Sequence, residues 1–384
     1  MPHGRGVLVG TMGLEDDARV DFARLRTQRR AKVLSGMERH DLDALILGGV
    51  GDVRYASGAR QLGRSGVLPF APVAVVVRKI ARVHLLSTWD EGVPPEIGYE
   101  DLYGMSWNPA NLMAALATTP RLRESRRVGT DGLTPMFAGL ISQLVTTAEV
   151  VDAAAVMAAA RRIKTPDEIT CLDVASAIAD AALSALEDAL VPGITERQPS
   201  VSITSGWPAL ERRIRRRKVS ASPRPGGVRW GTATWHPTAR SGMANWWHSR
   251  RERCTPDTRP AWRAPGWPGA PLRRGRRIWR RDASGSMDAL MAACRPGNTG
   301  ADLYRAWENS GHRLSPVPLA HGLGLGAEPP LIGLGRGSDA TLQEGMVLTV
   351  QSWVAEDGVG GCLDRATVRI ETGGSSTLTR YGRL

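Results

Sequence analysis

Little in this sequence points to a membrane or a disulfide-stapled scaffold. Across 384 residues no run approaches the roughly 18 apolar residues that a membrane span needs. The stretch Met1–Gly13 holds no long apolar run and meets Glu15-Asp16-Asp17 at once, so no secretory signal is expected. Cysteine is scarce. The four present (Cys171, Cys254, Cys294, Cys362) lie far apart with no C-x-x-C, which speaks against a structural zinc module and fits reduced thiols in a cytosol. Phenylalanine is scarcer still, with three residues and none after Phe137.

What is present is unevenly spread. The formal net charge of +12 invites a nucleic-acid reading, but its distribution argues otherwise. Residues 198–282 hold nineteen Arg and one Lys against four acids (Glu211, Glu252, Asp257, Asp282), a net of +16, while the remainder is net −4. The same block holds eight of the twelve Trp. With 42% hydrophobic and 23% charged residues, the chain has ordinary core-forming material. Its length suggests two domains, or three.

Hydrophobic periodicity predicts an amphipathic helix over 22–40, with Leu25, Val33, Leu34 and Met37 among charges. The apolar run Ala44–Leu47, stopped by Gly48-Gly49, reads as a short buried strand. Pro72–Val77, Val83–Leu86 and the segment ending at Val128–Asp131 read as further strands, with a helix around 133–146. This is an α/β pattern of about 150 residues. Thr165-Pro166-Asp167-Glu168 carries a capping box with Pro at the first helical position, so a long helix should start there and end at Pro192-Gly193. Shorter helices are expected over Met287–Cys294 and from Thr299 to about Glu308. A weak repeat relates Ala189–Thr195 to Ala293–Thr299, each a helix, a Pro-Gly break and a Thr. Pro-Gly as a common helix stop and duplication of half a domain both account for it.

The last hundred residues carry the chemistry. His321-Gly322-Leu323-Gly324-Leu325-Gly326-Ala327-Glu328-Pro329-Pro330 sets a histidine beside alternating glycines, which let backbone approach a ligand closely. Met346–Val350 reads as a strand whose period of two puts Gln351 on the face of Val347 and Thr349. Leu363–Ile370, after Gly360-Gly361, reads as a second strand with Asp364 near its start. Polar residues on adjacent strands facing a histidine loop suit a metal pocket, and equally suit hydrogen bonds satisfied within a sheet.

Taken in order, these pieces resemble the creatinase, prolidase and methionine aminopeptidase superfamily, the pita-bread metallohydrolases. Asp43–Leu47 with Val53-Arg54-Tyr55-Ala56-Ser57-Gly58 resembles its N-terminal domain. Arg161-Arg162-Ile163-Lys164-Thr165-Pro166-Asp167-Glu168-Ile169 resembles the opening helix of its catalytic domain. The Pro-Gly-x-Thr repeat fits that domain's internal pseudo-symmetry. His321-Gly322-x-Gly324, Gly345-Met346-Val347 and Gly360-Gly361 resemble its closing motifs. The resemblance implies an α/β N-terminal domain over 20–155 and an α+β pita-bread catalytic domain over 160–384. It also implies Xaa-Pro peptidase-like C–N hydrolysis by two divalent ions (manganese, cobalt, iron or zinc) held by two Asp, one His and two Glu.

Carried over by position, His321 is the histidine ligand and Gln351 stands at the first Glu. The second Glu falls at Asp364 or Arg365 according to register, and Asp364 is taken because it alone can ligate a cation. The Asp pair should lie between the opening helix and Met287, inside the Arg/Trp-rich block. Asp257 and Asp282 are too far apart in sequence to match it, and neither is carried over. No catalytic residue is assigned. Family peptidases place a second histidine before the Glu-Pro, where this chain has Ala327; that departure favours relatives such as dimethylsulfoniopropionate lyase-like or creatinase-like enzymes. Three readings of 198–282 stand: an out-of-frame translation of a GC-rich gene, a nucleic-acid-binding insert, and a surface loop without a role. Lacking either hydrophobic period, the block has no single face to bury. The expected protein is a cytoplasmic homodimer with a peptide or small-molecule substrate, impaired in catalysis as written. Nucleic acid and membrane are not expected as partners.

Overall fold

The computed structural model describes residues 19–59, 71–86, 92–104, 108–189, 284–312, 315, 317–333, 339–356 and 360–380. The expected helix stop at Pro192-Gly193 and the whole block 198–282, with its tryptophans, Asp257 and Asp282, lie outside the described residues.

Helix α1 (Phe22–Arg39) starts where the Asp21 side chain accepts the Arg24 N–H, and it buries Leu25, Val33 and Met37. β1 (Ala44–Leu47) is apolar at every position because both of its faces are covered. The elements that follow are α2 (Val50–Ser57), β2 (Ala74–Val77), β3 (Arg82–Leu86), β4 (Leu102–Tyr103), α3 (Pro109–Ala117), β5 (Arg127–Thr130), α4 (Pro135–Leu144), β6 (Glu149–Asp152) and α5 (Ala154–Arg162). The six strands form one mixed sheet in the order β4-β3-β2-β1-β5-β6. β1 pairs antiparallel with β2 and parallel with β5.

Period-two alternation divides the core. Leu45, Leu47, Val76 and Leu85 project to one side, where Val33, Met37, Val53, Tyr55, Val156 and Met157 of α1, α2 and α5 cover them. Ala44, Ile46, Val75 and Val77 project to the other, under Leu112, Leu116, Phe137 and Ile141 of α3 and α4. The result is a three-layer α/β unit. Burying these side chains supplies about 1.5–3 kcal/mol each relative to exposure, so the core outweighs any single surface contact.

The boundary between the chain's two compact units falls between Glu168 and Ile169, within the first turn of α6 (Pro166–Ala189). The first unit also takes in Gly324–Pro329. The expected capping box is present: Glu168 Oε2 accepts the Thr165 N–H at 2.9 Å, and Thr165 Oγ1 accepts the Glu168 N–H at 3.2 Å. In the second unit, α7 spans 284–293. α8 (Gly300–Asn309) opens with a capping box between Thr299 and Asp302. The strands β7 (Ala320–Leu323), β8 (Ala327–Ile332, of which 327–329 count with the first unit), β9 (Val347–Glu356), β10 (Gly360–Glu371) and β11 (Gly374–Thr377) form a sheet in the order β11-β10-β9-β7-β8. The α/β and α+β classes expected from the sequence are therefore those observed. Strands β9 and β10 run longer than expected, because pairing continues past the apolar segments that marked them.

Candidate functional site

His321 lies on β7, Gln351 on β9, and Asp364 and Arg365 on β10. The β9–β10 ladder runs without a bulge from Arg369 opposite Val347 to Gly360 opposite Glu356. It sets Gln351 against Arg365 and Ser352 against Asp364. Directly opposed residues of an antiparallel pair project to one face, so Arg365 shares the face of Gln351. Asp364, chosen on its ligand chemistry, stands instead on the opposite face with Ser352. β7 joins β9 through His321 opposite Thr349, two residues from Gln351 and on the same face. The register thus brings His321, Thr349, Gln351 and Arg365 together. Diagonal neighbours of this kind lie about 7–8 Å apart, close enough to share one small ligand.

The environment of each group fixes what it can do. His321 Nδ1 lies 2.9 Å from the Gly322 carbonyl oxygen, a contact that suits a proton on Nδ1 and leaves Nε2 as the basic nitrogen. Gln351 is 2% exposed, and its Oε1 is buried with no hydrogen-bond partner among the described residues. The Asp364 carboxylate accepts the Arg365 backbone N–H at 2.8 Å.

This donor set does not fit a pair of divalent ions. Two dications need several anionic oxygens within bonding distance. On this face Gln351 offers a neutral carbonyl, and the position opposite it carries a permanent cation. Among the described residues no group of three or more His, Cys, Asp or Glu side chains is placed to hold a metal.

A buried ionic cluster, which sequence reasoning did not anticipate, holds the far end of the histidine loop within the first unit. Glu328, 7% exposed, receives the Arg161 guanidinium at 2.7 Å and the Lys164 ammonium at 2.8 Å. Arg161 also pairs with Asp52 at 2.6 Å. Glu328 Oε1 accepts the Leu325 N–H at 3.1 Å, and a Cβ at position 324 would press on the same carboxylate, which glycine leaves undisturbed. Burial alone pushes the Glu328 carboxyl upward, but Lys164 and Arg161 outweigh it and hold the group below its ordinary range. Arg161 and Lys164 stood in the opening-helix motif and Glu328 in the Glu-Pro-Pro run. With the partners 167 and 164 positions apart, nothing in local spacing joins them.

Comparison with known proteins agrees with this architecture. Residues 29–163 match the Creatinase/Prolidase N-terminal domain, and residues 281–372 match metallopeptidase family M24. Among solved structures, the chain is similar to an Xaa-Pro dipeptidase from Bacillus anthracis at 16% identity and a TM-score of 0.63, covering 94% of this chain and 99% of that one. It is similar to the prolidase from Pyrococcus horikoshii OT3 at 15% identity and a TM-score of 0.60, covering 92% and 99%. It is also similar to the N-terminal domain of FACT complex subunit SPT16 from Cicer arietinum at 15% identity and a TM-score of 0.57, covering 94% and 97%. At these identities the likeness is one of fold. No curated protein sequence matches the chain.

Proposed function

This chain belongs to the creatinase/prolidase pita-bread superfamily, and on that premise we propose that it is an Xaa-Pro aminopeptidase- or dipeptidase-like homologue in which metal-dependent hydrolysis is impaired. The observation that carries the reading is the β9–β10 register, which sets Arg365 opposite Gln351 on the face of His321. A cation at this position repels the ions the family uses. The neutral amide beside it cannot hold their charge or lower the pKa of a bound water. The reading includes a cytoplasmic homodimer acting on, or binding, a peptide or small molecule. Among the described residues no helix is long and apolar enough to cross a membrane.

The test is metal content and turnover of the purified full chain. After incubation with manganese, cobalt, iron or zinc and removal of loose ions, the metal content should fall well short of two per chain, and Xaa-Pro dipeptides should release no proline above the blank. Two tightly held ions per chain with Xaa-Pro turnover would overturn the reading. One observation favours a second reading. Ala327 stands where the family's peptidases carry a second histidine, which suits dimethylsulfoniopropionate lyase-like or creatinase-like chemistry. Turnover of either substrate without peptidase activity would select it.

A further inference from the structure

We propose that the face formed by His321, Gln351 and Arg365 binds, without a metal ion, a carboxylate that carries a neighbouring amide N–H: the C-terminal end of a peptide or an N-acylamino acid. The inference rests on the reading that the two-metal centre is impaired, and it names the ligand class that replaces it.

Two observations carry it. The first is Gln351. Its side chain is buried to about the degree of a core residue, yet Oε1 has no hydrogen-bond partner among the described residues. A buried acceptor left unsatisfied is costly, so the site calls for a donor, and an amide N–H is one. The second is the register. Arg365 is the direct cross-strand neighbour of Gln351 on the same face. Its planar guanidinium presents N–H donors in a fork that can engage both oxygens of a carboxylate. Opposed Cβ atoms in such a pair lie about 4.5–5.5 Å apart. In an acylamino acid a single carbon separates the amide nitrogen from the carboxylate, so both groups reach their partners from one short ligand. Thr349 and His321 flank the pair on the same face, offering a hydroxyl and an imidazole to the ligand's remaining edge.

The chemistry makes the preference unlike that of a prolidase. A C-terminal proline in amide linkage has no N–H, so it cannot satisfy Gln351. N-acetylalanine should bind better than N-acetylproline, and better than N-acetylalanine amide, which lacks the charge that Arg365 recognises.

The experiment is calorimetric titration of the full chain with these three compounds in excess chelator. N-acetylalanine should bind, and each of the other two should bind roughly ten- to a hundredfold more weakly, the range expected when one charged or buried hydrogen bond is lost. Arg365→Gln should abolish discrimination between acid and amide while keeping discrimination between alanine and proline. Gln351→Leu should do the reverse. Circular dichroism matching the parent checks that each variant folds, and Arg365→Lys, which keeps the charge without the fork, should restore part of the preference for the acid. Absence of N-acetylalanine binding, equal binding of all three compounds, or binding that requires added metal would each overturn the proposal. A trapped water bonded to Oε1 would give the first of these results. Metal content and proline release test the loss of the hydrolytic centre, and ligand binding in chelator tests separately what the face holds instead.

Discussion

Burial sets how His84 titrates. Its ring is enclosed on β3, with Nδ1 3.0 Å from Asp101 Oδ1, Tyr103 edge-on beside it, and Nε2 without a hydrogen-bond partner among the described residues. Burial lowers its pKa from 6.5. Asp101 pulls it back up, but Arg82, which also pairs with Asp101 and Glu100, pushes it down, and the net shift is downward. The unfolded chain therefore binds more protons than the folded one between the folded pKa and 6.5, so stability falls as pH drops below 6.5 and levels off below the folded value. Urea unfolding at a series of pH values should show this decline, and His84→Leu should flatten it; an unchanged slope in the variant would assign the decline to other groups. Cys294 shows the same physics in a thiol, which burial pushes up to about 12. In the native protein Cys294 should resist iodoacetamide at pH 8 and react only on unfolding, which mass spectrometry of the alkylated peptide would read.

At the scale of elements, the Glu328 cluster determines where the histidine loop ends. Arg161 lies in the last turn of α5, Lys164 precedes α6, and Glu328 lies on β8. Removing one partner of a buried ion set leaves the others uncompensated, so Glu328→Gln should destabilise the full chain by about 3–5 kcal/mol in urea unfolding. Lys164→Met should cost a comparable amount, and the double variant less than the sum of the two. Because the Glu328 carboxyl is held below its ordinary 4.5, its contribution is present above that value and is lost as pH falls through the folded pKa. A Glu328→Gln variant as stable as the parent at neutral pH would show that the cluster contributes nothing net. The capping box at Thr299 is a smaller effect of the same kind, and Thr299→Ala should cost about 1 kcal/mol.

At the scale of the whole molecule, charge governs what the pita-bread sheet can hold. Outside residues 198–282 the chain is mildly acidic, while the block itself is net +16. At the site itself the charge that opposes cation capture is that of Arg365, opposite Gln351. Gln351→Glu alone should therefore leave the metal content unchanged. Gln351→Glu together with Arg365→Glu removes the cation and supplies two carboxylates beside His321, and should raise manganese content measurably without restoring Xaa-Pro hydrolysis, since the Asp pair the family uses has no match in this sequence. Full turnover by the double variant would show that further ligands come from elsewhere in the chain.

Strand and helix identities were legible locally, because each depends on neighbours a few positions away. The four apolar residues Ala44–Leu47 suit a strand buried on both faces, and Thr165 and Glu168 cap a helix wherever that helix packs. The motif order from Asp43 to Gly361 likewise carried the superfamily. Register was different. Whether Asp364 or Arg365 opposes Gln351 depends on how two strands align, and a slip of one residue exchanges the two faces of β10. The sequence alone left the choice to ligand chemistry, which favoured Asp364, while the ladder places Arg365 there. The Glu328 cluster was hidden for a related reason, since its partners stand more than 160 positions apart in the chain. Local propensity and composition thus determined the elements and the family, and long-range pairing alone decided which charge faces His321.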